Sequence, residues 1–546
     1  MARNDNLTDL LRDVAVAIRE KTNSASLINP QDFPERIAAI ETAGGQPEGT
    51  HTVQFIDVDG TILKSQYVAD GGSATPPANP TREKCQFVKW LNAYDNITRD
   101  TDVFALYKSS DGNSWYKVKA NANDRMNLTI RCDTASPVII DWGDGSSDTA
   151  TERNRYREFR HDYAEGFNGW VKVSSEGNHR LGSIEIDGNP CVIEVVVGNK
   201  VATIGAVAQQ MFNLRSIVIP DTVKECEGYL FYNCLSLLSL ALPDGIKKFS
   251  VNKAFSMTDL RYVRLPETLT EMPANMFGNS SSLQSITIPA SVTSIGDFAF
   301  QGCANIQRIV IPASVISVGK SAFQNCINLR DVKILGGLTS IPDYAFNGCF
   351  ALQGINIPEG VTSIGASAFQ GCSNAVFSVN VNNFAPTASV FMSCRRLTGN
   401  MNIIADEIPH DAFAFTGITS LFCKANKTTR TTGGGAFYGC EELTRVELTD
   451  IKEIGSFTFN ACTALSLAII GDTVTKIDSS AFLNCTTLAR LVVKAATPPT
   501  LASNALNGCG KLTAIYVPDE AVEAYKAATN WIGYAAKIQP FSGFSE

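Results

Sequence analysis

Three consecutive stretches decide the fold: AFQGCANIQRIVIPASVISVGKS (299–321), AFQNCINLRDVKILGGLTSIPDY (322–344) and AFNGCFALQGINIPEGVTSIGAS (345–367). They are copies of one unit that opens with a Phe-x-x-Cys-x-x-Leu anchor or a close variant of it. Thirteen such anchors lie 22 to 24 residues apart between positions 234 and 509. Ten of them carry a cysteine (Cys234, Cys303, Cys326, Cys349, Cys372, Cys394, Cys440, Cys462, Cys485 and Cys509), and Thr258, Ser280 and Thr416 stand in the other copies. The chain therefore contains a long internal repeat with a period close to 23 residues.

A period of about 20–29 residues with Leu, Ile and Phe at fixed offsets is the signature of leucine-rich repeats. The stretches ITIP (286–289), IVIP (309–312) and INIP (355–358) predict short strands whose alternate isoleucines point inward. The proline ends each strand because it has no backbone donor. A single unit leaves an apolar face exposed, and stacking many units buries those faces in one core. We therefore predict a solenoid over residues 181–517.

The repeats resemble the BspA-like leucine-rich repeats over roughly residues 203–517. The stretch LTAIYVPDEAVEAYKAATNWIGYAAKIQPF (512–541) is similar to the end segment common in that family. It predicts a cap over residues 518–546 with a short helix through Val522 and Tyr525, because the last repeat otherwise exposes its apolar face. Members of the family are mostly surface and adhesive proteins, so the resemblance implies a role in attachment.

The repeated cysteines are predicted to be free thiols packed in the core, because buried cysteine behaves as a small hydrophobic residue. A zinc site needs ligands that converge from close positions, and the sequence has no Cys-x-x-Cys pair. It also lacks the Gly-x-Ser-x-Gly, His-Glu-x-x-His and P-loop patterns of common enzymes. We therefore expect no metal, no cofactor and no catalysis.

The N-terminal region, residues 1–45, is predicted to be helical. Leu7, Leu10, Leu11, Val14 and Ile18 fall at helical spacing within residues 5–22, and a second short helix is predicted over 28–41. The stretch VAVAIREKTNSASLINPQDFPERIAAI (14–40) resembles a segment frequent in tail and baseplate proteins of gut phages. That resemblance implies attachment to a virion, and the alternative is an ordinary helical hairpin or an oligomerisation helix.

The stretch VQFIDVDGTILKS (53–65) resembles the first motif of the haloacid dehalogenase phosphatases, which implies a nucleophilic Asp57 and an acid/base Asp59. The residues that follow are rich in strands and prolines and lack the helix and distal acidic pair that this chemistry needs. Residues 51–108 instead resemble the Listeria–Bacteroides repeat, a small β-module. We predict that Asp57, Asp59 and Gly60 form a hairpin turn.

Residues 109–180 are predicted to form a second small β-domain. The stretch NLTIRCDTASPVIIDWGDGSSDT (127–149) resembles the PKD-type immunoglobulin-like sandwich. Its Asp141, Asp144 and Asp148 suggest calcium ligands, but no 12-residue loop ending in a bidentate glutamate follows. Turn-forming aspartates are the favoured interpretation, and both β-domains are expected to serve as spacers.

The surface of the solenoid is the predicted binding site. Strand positions that point outward are expected to contact a partner, and Tyr and Arg are common in such contacts. The candidate residues are Tyr262, Arg264, Arg308, Asp331, Lys333, Arg445 and Glu447. A net charge of −8 argues against nucleic acid, and no apolar run reaches the ~18 residues of a membrane span.

Together these patterns predict a mainly β, multidomain and non-enzymatic protein. The first interpretation is a phage virion protein that binds tail or baseplate proteins through its N-terminal region and forms a homo-oligomer in the particle. Its solenoid is then expected to bind a glycan or protein of the host cell surface. A polar N-terminus without a secretory pattern favours this interpretation. The alternatives are a bacterial cell-surface adhesin of the BspA-like family and, more remotely, a phosphatase that uses Asp57.

Overall fold

The computed structural model describes residue 47 and residues 49–132, 136–152, 155–175, 179–181, 191–204, 211–226, 230–246, 248–249, 252–377, 387–404, 407–424 and 431–545. The helices predicted over 5–22 and 28–41 lie outside the described residues. The described chain consists mainly of strands and turns, which confirms the predicted fold class. It falls into two compact units. One holds the described residues up to Asp57 with Thr61–Pro80 and Trp90–Ala105, and the other holds Val58–Gly60, Thr81–Lys89 and the chain from Leu106 onward.

The first sheet has four strands: β1 (Thr50–Ile56), β2 (Ile62–Ala69), β3 (Cys85–Leu91) and β4 (Thr101–Ser109). Their order is β2-β1-β4-β3, with β1 and β2 antiparallel and β1 and β4 parallel. Val53, Phe55 and Val103 form the buried side of this sheet. The β-rich character predicted for the stretch is confirmed, and its kinship to the Listeria–Bacteroides repeat stays a prediction.

Seven strands follow: β5 (Ser114–Ala120), β6 (Asp124–Cys132), β7 (Val138–Asp141), β8 (Ser147–Ala150), β9 (Tyr156–Tyr163), β10 (Phe167–Ser175) and β11 (His179–Leu181). β5, β10, β7 and β8 are neighbours in one sheet, and β11, β6 and β9 are neighbours in another. Tyr116, Leu128 and Trp142 are almost completely buried in the core that these two sheets share. The arrangement is a β-sandwich.

The solenoid strands are, in chain order, β12 (Val192–Val196), β13 (Val201–Ile204), β14 (Ser216–Val218), β15 (Glu225–Cys226), β16 (Ser239–Ala241), β17 (Lys248–Phe249), β18 (Tyr262–Arg264), β19 (Glu271–Met272), β20 (Ser285–Ile286), β21 (Ser294–Ile295), β22 (Arg308–Ile311), β23 (Ser317–Val318), β24 (Asp331–Ile334), β25 (Ser340–Ile341), β26 (Gly354–Asn356), β27 (Ser363–Ile364), β28 (Val376–Phe377), β29 (Thr398–Ile404), β30 (Gly417–Lys424), β31 (Thr431–Thr432), β32 (Arg445–Thr449), β33 (Glu453–Ile454), β34 (Leu467–Ile470), β35 (Lys476–Ile477), β36 (Arg490–Val493), β37 (Thr500–Leu501), β38 (Ala514–Val517) and β39 (Ile538–Pro540).

Each repeat contributes two strands to two rows of parallel pairs. The longer first strands form one row, which ends in the seven-stranded sheet β29-β30-β32-β34-β36-β38-β39. The two-residue second strands, such as β25 and β27, form the other row. Apolar residues point inward from both rows, so each repeat completes the core of its neighbour.

The sandwich and the solenoid share one core. β12 pairs antiparallel with β5, and β13 pairs parallel with β11, so both sandwich sheets continue into the two strand rows. A single hydrophobic cluster extends from Tyr116 to Ile538. The sandwich therefore covers the N-terminal end of the solenoid, and the expectation that it serves as a spacer stays a prediction.

A stack of phenylalanines runs through the repeats. Eleven successive ring pairs have centroids 5.2 to 5.8 Å apart and nearly parallel planes. Aromatic side chains bury large areas, and offset stacking of rings adds to that stabilisation. The stack consists of Phe231, Phe255, Phe277, Phe300, Phe323, Phe346, Phe369, Phe391, Phe413, Phe437, Phe459 and Phe482. In the last repeat Leu506 takes this place and is 3% exposed.

The anchor cysteines link one repeat to the next. In nine of them the thiol donates a hydrogen bond to the phenylalanine carbonyl of the preceding repeat, as Cys349 does to Phe323 at 3.2 Å. Ser280 makes the same bond to Phe255 at 2.7 Å. The anchor position therefore needs a small side chain that can donate a hydrogen bond. All fourteen cysteines whose side chains are described are free thiols.

The C-terminal residues close the last repeat. The short helix α1 (Val522–Ala527) is present where the sequence predicts it, between 3₁₀ turns at Asp519–Ala521 and Ile532–Lys537. Tyr525 and Trp531 are fully buried and donate hydrogen bonds to the backbone carbonyls of Ala495 and Pro499, each at 2.8 Å, in the repeat before the last. These contacts cover the apolar end that stacking leaves open.

Candidate ligand-binding surface

The first strands of the central repeats place charged side chains side by side on the solenoid surface. The register pairs Arg308 with Asp331 and Val310 with Lys333. Arg308 and Lys333 are exposed, and Asp331 is half-buried. Neighbouring strands lie ~4.8 Å apart, so a ligand on this face meets charges of both signs within a short distance. The outward direction predicted for these residues is correct, and their role in binding stays a prediction.

Arg264 is not on the surface, and the prediction that it is exposed is wrong. The side chain is 4% exposed. Its Nη1 donates to the Leu242 carbonyl at 2.7 Å and lies 2.7 Å from a carboxylate oxygen of Asp244. Burial raises the pKa of Asp244, but hydrogen bonds from Arg264 and the backbone outweigh burial and hold that pKa below its usual value. Arg264 therefore joins two repeats, and its neighbour Tyr262 is half-buried.

Arg445 and Glu447 lie on β32, inside the seven-stranded sheet. They point to the same side of the strand, and the guanidinium is 3.2 Å from the carboxylate. Both side chains are half-buried. Arg445 is in register with Leu467, and Glu447 is in register with Ile469 on one side and with Phe422 on the other. The pair is thus the polar part of a largely apolar outer face.

A cleft of about 950 Å³ opens on this outer face. It crosses the ends of the first strands from β30 to β38 and reaches the C-terminal residues. Five carboxylates and two lysines lie in its lining, which leaves an excess of three negative charges. The lining residues are Phe422, Lys424, Glu447, Thr449, Asp450, Gly471, Asp472, Lys494, Pro518, Asp519, Glu520, Phe541 and Ser542.

The last residues of the chain form one wall of the cleft and cover part of the outer face. The Phe544 ring lies 5.1 Å from that of Tyr516, and Phe544 packs on the buried cluster of Leu467, Ile469 and Val492. These side chains point outward from their strands, where a solvated solenoid face has polar residues. The C-terminal tail, which we define as residues 541–545, is therefore bound to the strand face.

Polar contacts hold the tail in place. Arg490 donates from Nη1 to the Ser545 carbonyl at 2.8 Å, and its guanidinium lies over the Phe544 ring. The Ser542 N–H donates to the Asp519 carboxylate at 2.9 Å, and hydrogen bonds from Ser542 lower the pKa of Asp519. In the described part of the chain, the carboxylates of Asp450 and Asp472 have no comparable partner. Among the described residues, the tail therefore occupies one end of the cleft and leaves the other end open.

The phosphatase-like motif has a structural role. Asp57–Thr61 is the turn of the β1–β2 hairpin, as predicted, and the Asp57 N–H donates to the Thr61 carbonyl at 2.9 Å. Asp59 pairs with Arg82 at 2.9 Å, and Arg82 also reaches Glu194 at 3.1 Å. Gly60 has a φ of +88°, and any larger residue at this position would place its Cβ 3.1 Å from the Leu238 Cβ. The motif is engaged in turn formation and packing.

The three aspartates of the sandwich hold turns together. Asp141 accepts from the Gly143 N–H at 3.0 Å, Asp144 accepts from the Ser146 N–H at 3.0 Å, and Asp148 accepts from Trp142 Nε1 at 2.9 Å. Within the residues that the structure describes, no group of three or more His, Cys, Asp or Glu side chains is placed to hold a metal ion. No described helix is long and apolar enough to span a membrane.

The sequence profile of the family described as "BspA type Leucine rich repeat region (6 copies)" matches residues 188–303, 270–398 and 406–529. The three matches together cover more than half of the chain. The chain belongs to the BspA-type leucine-rich-repeat family. The BspA-type match spans residues 188–529, and the solenoid strands span residues 192–540.

Solved structures of other leucine-rich-repeat proteins are similar to this BspA-type chain. A protein of Bacteroides ovatus is 20% identical, covers 67% of this chain and 96% of its own, and has a TM-score of 0.49. A leucine-rich cell surface protein of Faecalibacterium prausnitzii is 22% identical, with coverages of 67% and 94% and a TM-score of 0.38. The pneumococcal vaccine antigen PcpA is 17% identical, with coverages of 64% and 79% and a TM-score of 0.29. A search of curated proteins finds no significant match.

Sequence reasoning missed the cleft and the tail of this BspA-type protein. One signal was present: the outward positions of β34, β36 and β38 carry Ile469, Val492 and Tyr516, whereas the matching position of β24 carries Lys333. An apolar row on a solvated face indicates that something covers it. The sequence does not show that the covering segment is the chain's own tail.

Proposed function

We propose that this chain is a non-enzymatic attachment protein of the bacterial cell surface, and that the outward face of its first strands binds a glycan or protein. Membership of the BspA-type family carries the proposal, because that family consists mostly of surface and adhesive proteins. The scaffold supports it as well. A solenoid holds its inward residues fixed and presents a long surface of freely variable side chains.

The second candidate function is that of a phage tail or baseplate protein, and only the stretch 14–40 favours it. That stretch lies outside the described residues and outside the family match. Attachment to virion proteins and homo-oligomerisation stay predictions that depend on the same stretch. Immunogold labelling separates the two candidates, since gold on intact bacterial cells supports the first and gold on phage particles supports the second.

A binding assay tests the proposed surface. The full chain, fluorescently labelled, is incubated with candidate target cells and compared with the variant Arg308→Ala/Lys333→Ala/Arg445→Ala. The control variant Glu359→Ala/Lys511→Ala removes exposed charges away from the first strands. We expect the triple variant to lose at least about tenfold in affinity, because the loss of one central interfacial contact already costs more than about 1 kcal/mol. Equal losses in both variants, or none in either, contradict the proposal.

A further inference from the structure

We infer that the open end of the cleft docks an extended peptide segment of a partner protein, which places an apolar side chain on Phe422 and a basic side chain beside Asp450 and Asp472. This inference rests on the proposed function and names the chemistry of the partner. The proposed function itself holds for any ligand of the strand face, so the two fail under different results.

The first support is a continuous row of side chains. The register places Phe422, Glu447, Ile469, Val492 and Tyr516 side by side on five successive first strands. Four strand spacings of ~4.8 Å give the row a length of about 19 Å. An extended peptide rises ~3.3 Å per residue, so the whole row suits about six residues. Four of its five side chains are apolar, although the row faces outward.

The second support is that a peptide already lies on this row. The tail covers its C-terminal half through an aromatic ring on Tyr516 and through main-chain hydrogen bonds with Arg490 and Asp519. Aromatic anchors combined with main-chain hydrogen bonds are a common way for proteins to bind peptides. The strand face of these repeats therefore has the shape and chemistry to hold an extended chain.

The third support is the charge at the open half of the row. Phe422 is 37% exposed, and it lies outside the buried cluster on which Phe544 packs. The carboxylates of Asp450 and Asp472 line the same cleft and have no partner among the described residues. Even with Lys424 and Lys494, carboxylates are in excess. Basic side chains complement this charge, whereas a neutral glycan leaves it uncompensated, so the observations favour a basic peptide.

The test uses two fluorescein-labelled peptides, FKGFK and FEGFE, and fluorescence polarisation with the full chain. The spacing of their phenylalanines copies Phe541 and Phe544 of the tail, and the peptides differ only in two positions that carry Lys in one and Glu in the other. We expect FKGFK to bind at least about tenfold more tightly, which equals ~1.4 kcal/mol. The difference should shrink between about 0.02 M and about 0.2 M ionic strength, because salt screens exposed charges.

Matched variants locate the site. Phe422→Ala and Asp450→Asn/Asp472→Asn should each weaken FKGFK binding by about tenfold or more. Glu359→Gln/Glu441→Gln removes the same number and sign of charges from exposed positions outside the cleft and should leave the affinity unchanged. All substituted positions are exposed or half-buried, so the urea unfolding midpoint should match that of the wild type.

Three results overturn the inference: equal affinities for both peptides, no saturable binding of FKGFK, or unchanged affinity in the cleft variants. A fourth result also overturns it: the full chain binds the neutral trisaccharide maltotriose, and Phe422→Ala abolishes that binding. The cleft then recognises sugars. If any of these occurs while the cell-binding assay with Arg308→Ala/Lys333→Ala/Arg445→Ala still succeeds, the proposed function stands without this inference.

Discussion

The phenylalanine stack leads to a quantitative prediction at Phe346. Its ring is 2% exposed and lies 5.3 Å from that of Phe323 and 5.6 Å from that of Phe369. Replacing a buried Phe by Ala costs about 3–5 kcal/mol, because burial is lost and a cavity remains. Each stacked ring pair contributes about 0.5–1.5 kcal/mol beyond burial. We therefore expect Phe346→Ala to lower the free energy of unfolding by about 5 kcal/mol.

Two control substitutions separate the stack from general hydrophobicity. Phe346→Leu should cost about 1–2 kcal/mol, since most of the volume is kept. Leu506 occupies the same position in the last repeat and is well buried there. Phe350→Ala changes another phenylalanine of the same repeat, but that side chain is 51% exposed. Its effect should stay within about 0.5 kcal/mol.

Urea unfolding followed by circular dichroism measures the three changes, and hydrogen exchange shows where they act. Each repeat contacts only its neighbours, so exchange in Phe346→Ala should accelerate first between residues 323 and 369. A cost below about 1 kcal/mol, or one no larger than that of Phe350→Ala, refutes the reasoning about the stack. Uniform acceleration along the whole solenoid contradicts the nearest-neighbour picture.

Four further predictions follow from other contacts. Arg264→Leu should destabilise the fold by about 1–3 kcal/mol at neutral pH, because the Leu242 carbonyl and the Asp244 carboxylate lose their donor. The pKa of Asp244 is lowered in the folded state, so its ion pair stabilises the fold above the unfolded-state pKa of about 4. The wild type should lose this stabilisation as the pH falls from about 4 through the folded-state pKa. The free energy of unfolding of Arg264→Leu should fall less over the same acid titration. Among the cysteines with described side chains only Cys85 is not buried, so it should react first with a thiol reagent at pH 8. Mass spectrometry follows the labelling, and the fast phase should be absent in Cys85→Ser. Phe544→Ala should speed release of the last residues by carboxypeptidase, whereas unchanged release means that the ring does not anchor the tail. The last prediction concerns hydrolysis of p-nitrophenyl phosphate in the presence of magnesium. Any rate measured for the wild type should be the same in Asp57→Asn.

The repeat architecture was predictable because its determinants recur in the sequence. Phe, Cys and Leu return at nearly constant spacing, and each unit meets only the next one, so local pattern and tertiary contact coincide. The degenerate copies obey the same physics, since Ser280 donates the hydrogen bond that cysteine donates elsewhere. The hairpin turn at Asp57–Thr61 was predictable for a similar reason, because Asp and Gly favour turns wherever they occur.

The rest depends on contacts between residues far apart in the chain. Strand alternation points Arg264 outward, but an ion pair with Asp244, from the preceding repeat, holds the Arg264 side chain in a buried position. The sandwich joins the solenoid through pairing of β5 with β12, and the sequence between them does not reveal that register. The cleft needs five strands in register and a tail that returns from residue 541 to the outer face. No local pattern encodes such a return. The apolar residues beneath the tail are nevertheless visible in the sequence, because they occupy strand positions that point outward.

The parallel pairing of successive first strands also determines how the protein responds to tension. A pull along the stack loads the strand pairs one after another, and each repeat that detaches frees about 23 residues of chain. At ~3.3 Å per extended residue, each detachment adds about 70 Å of length. We expect force spectroscopy to show a series of small, evenly spaced steps. A tether of this kind lengthens under load, so a ligand held near the C-terminal end feels a limited force while the repeats detach.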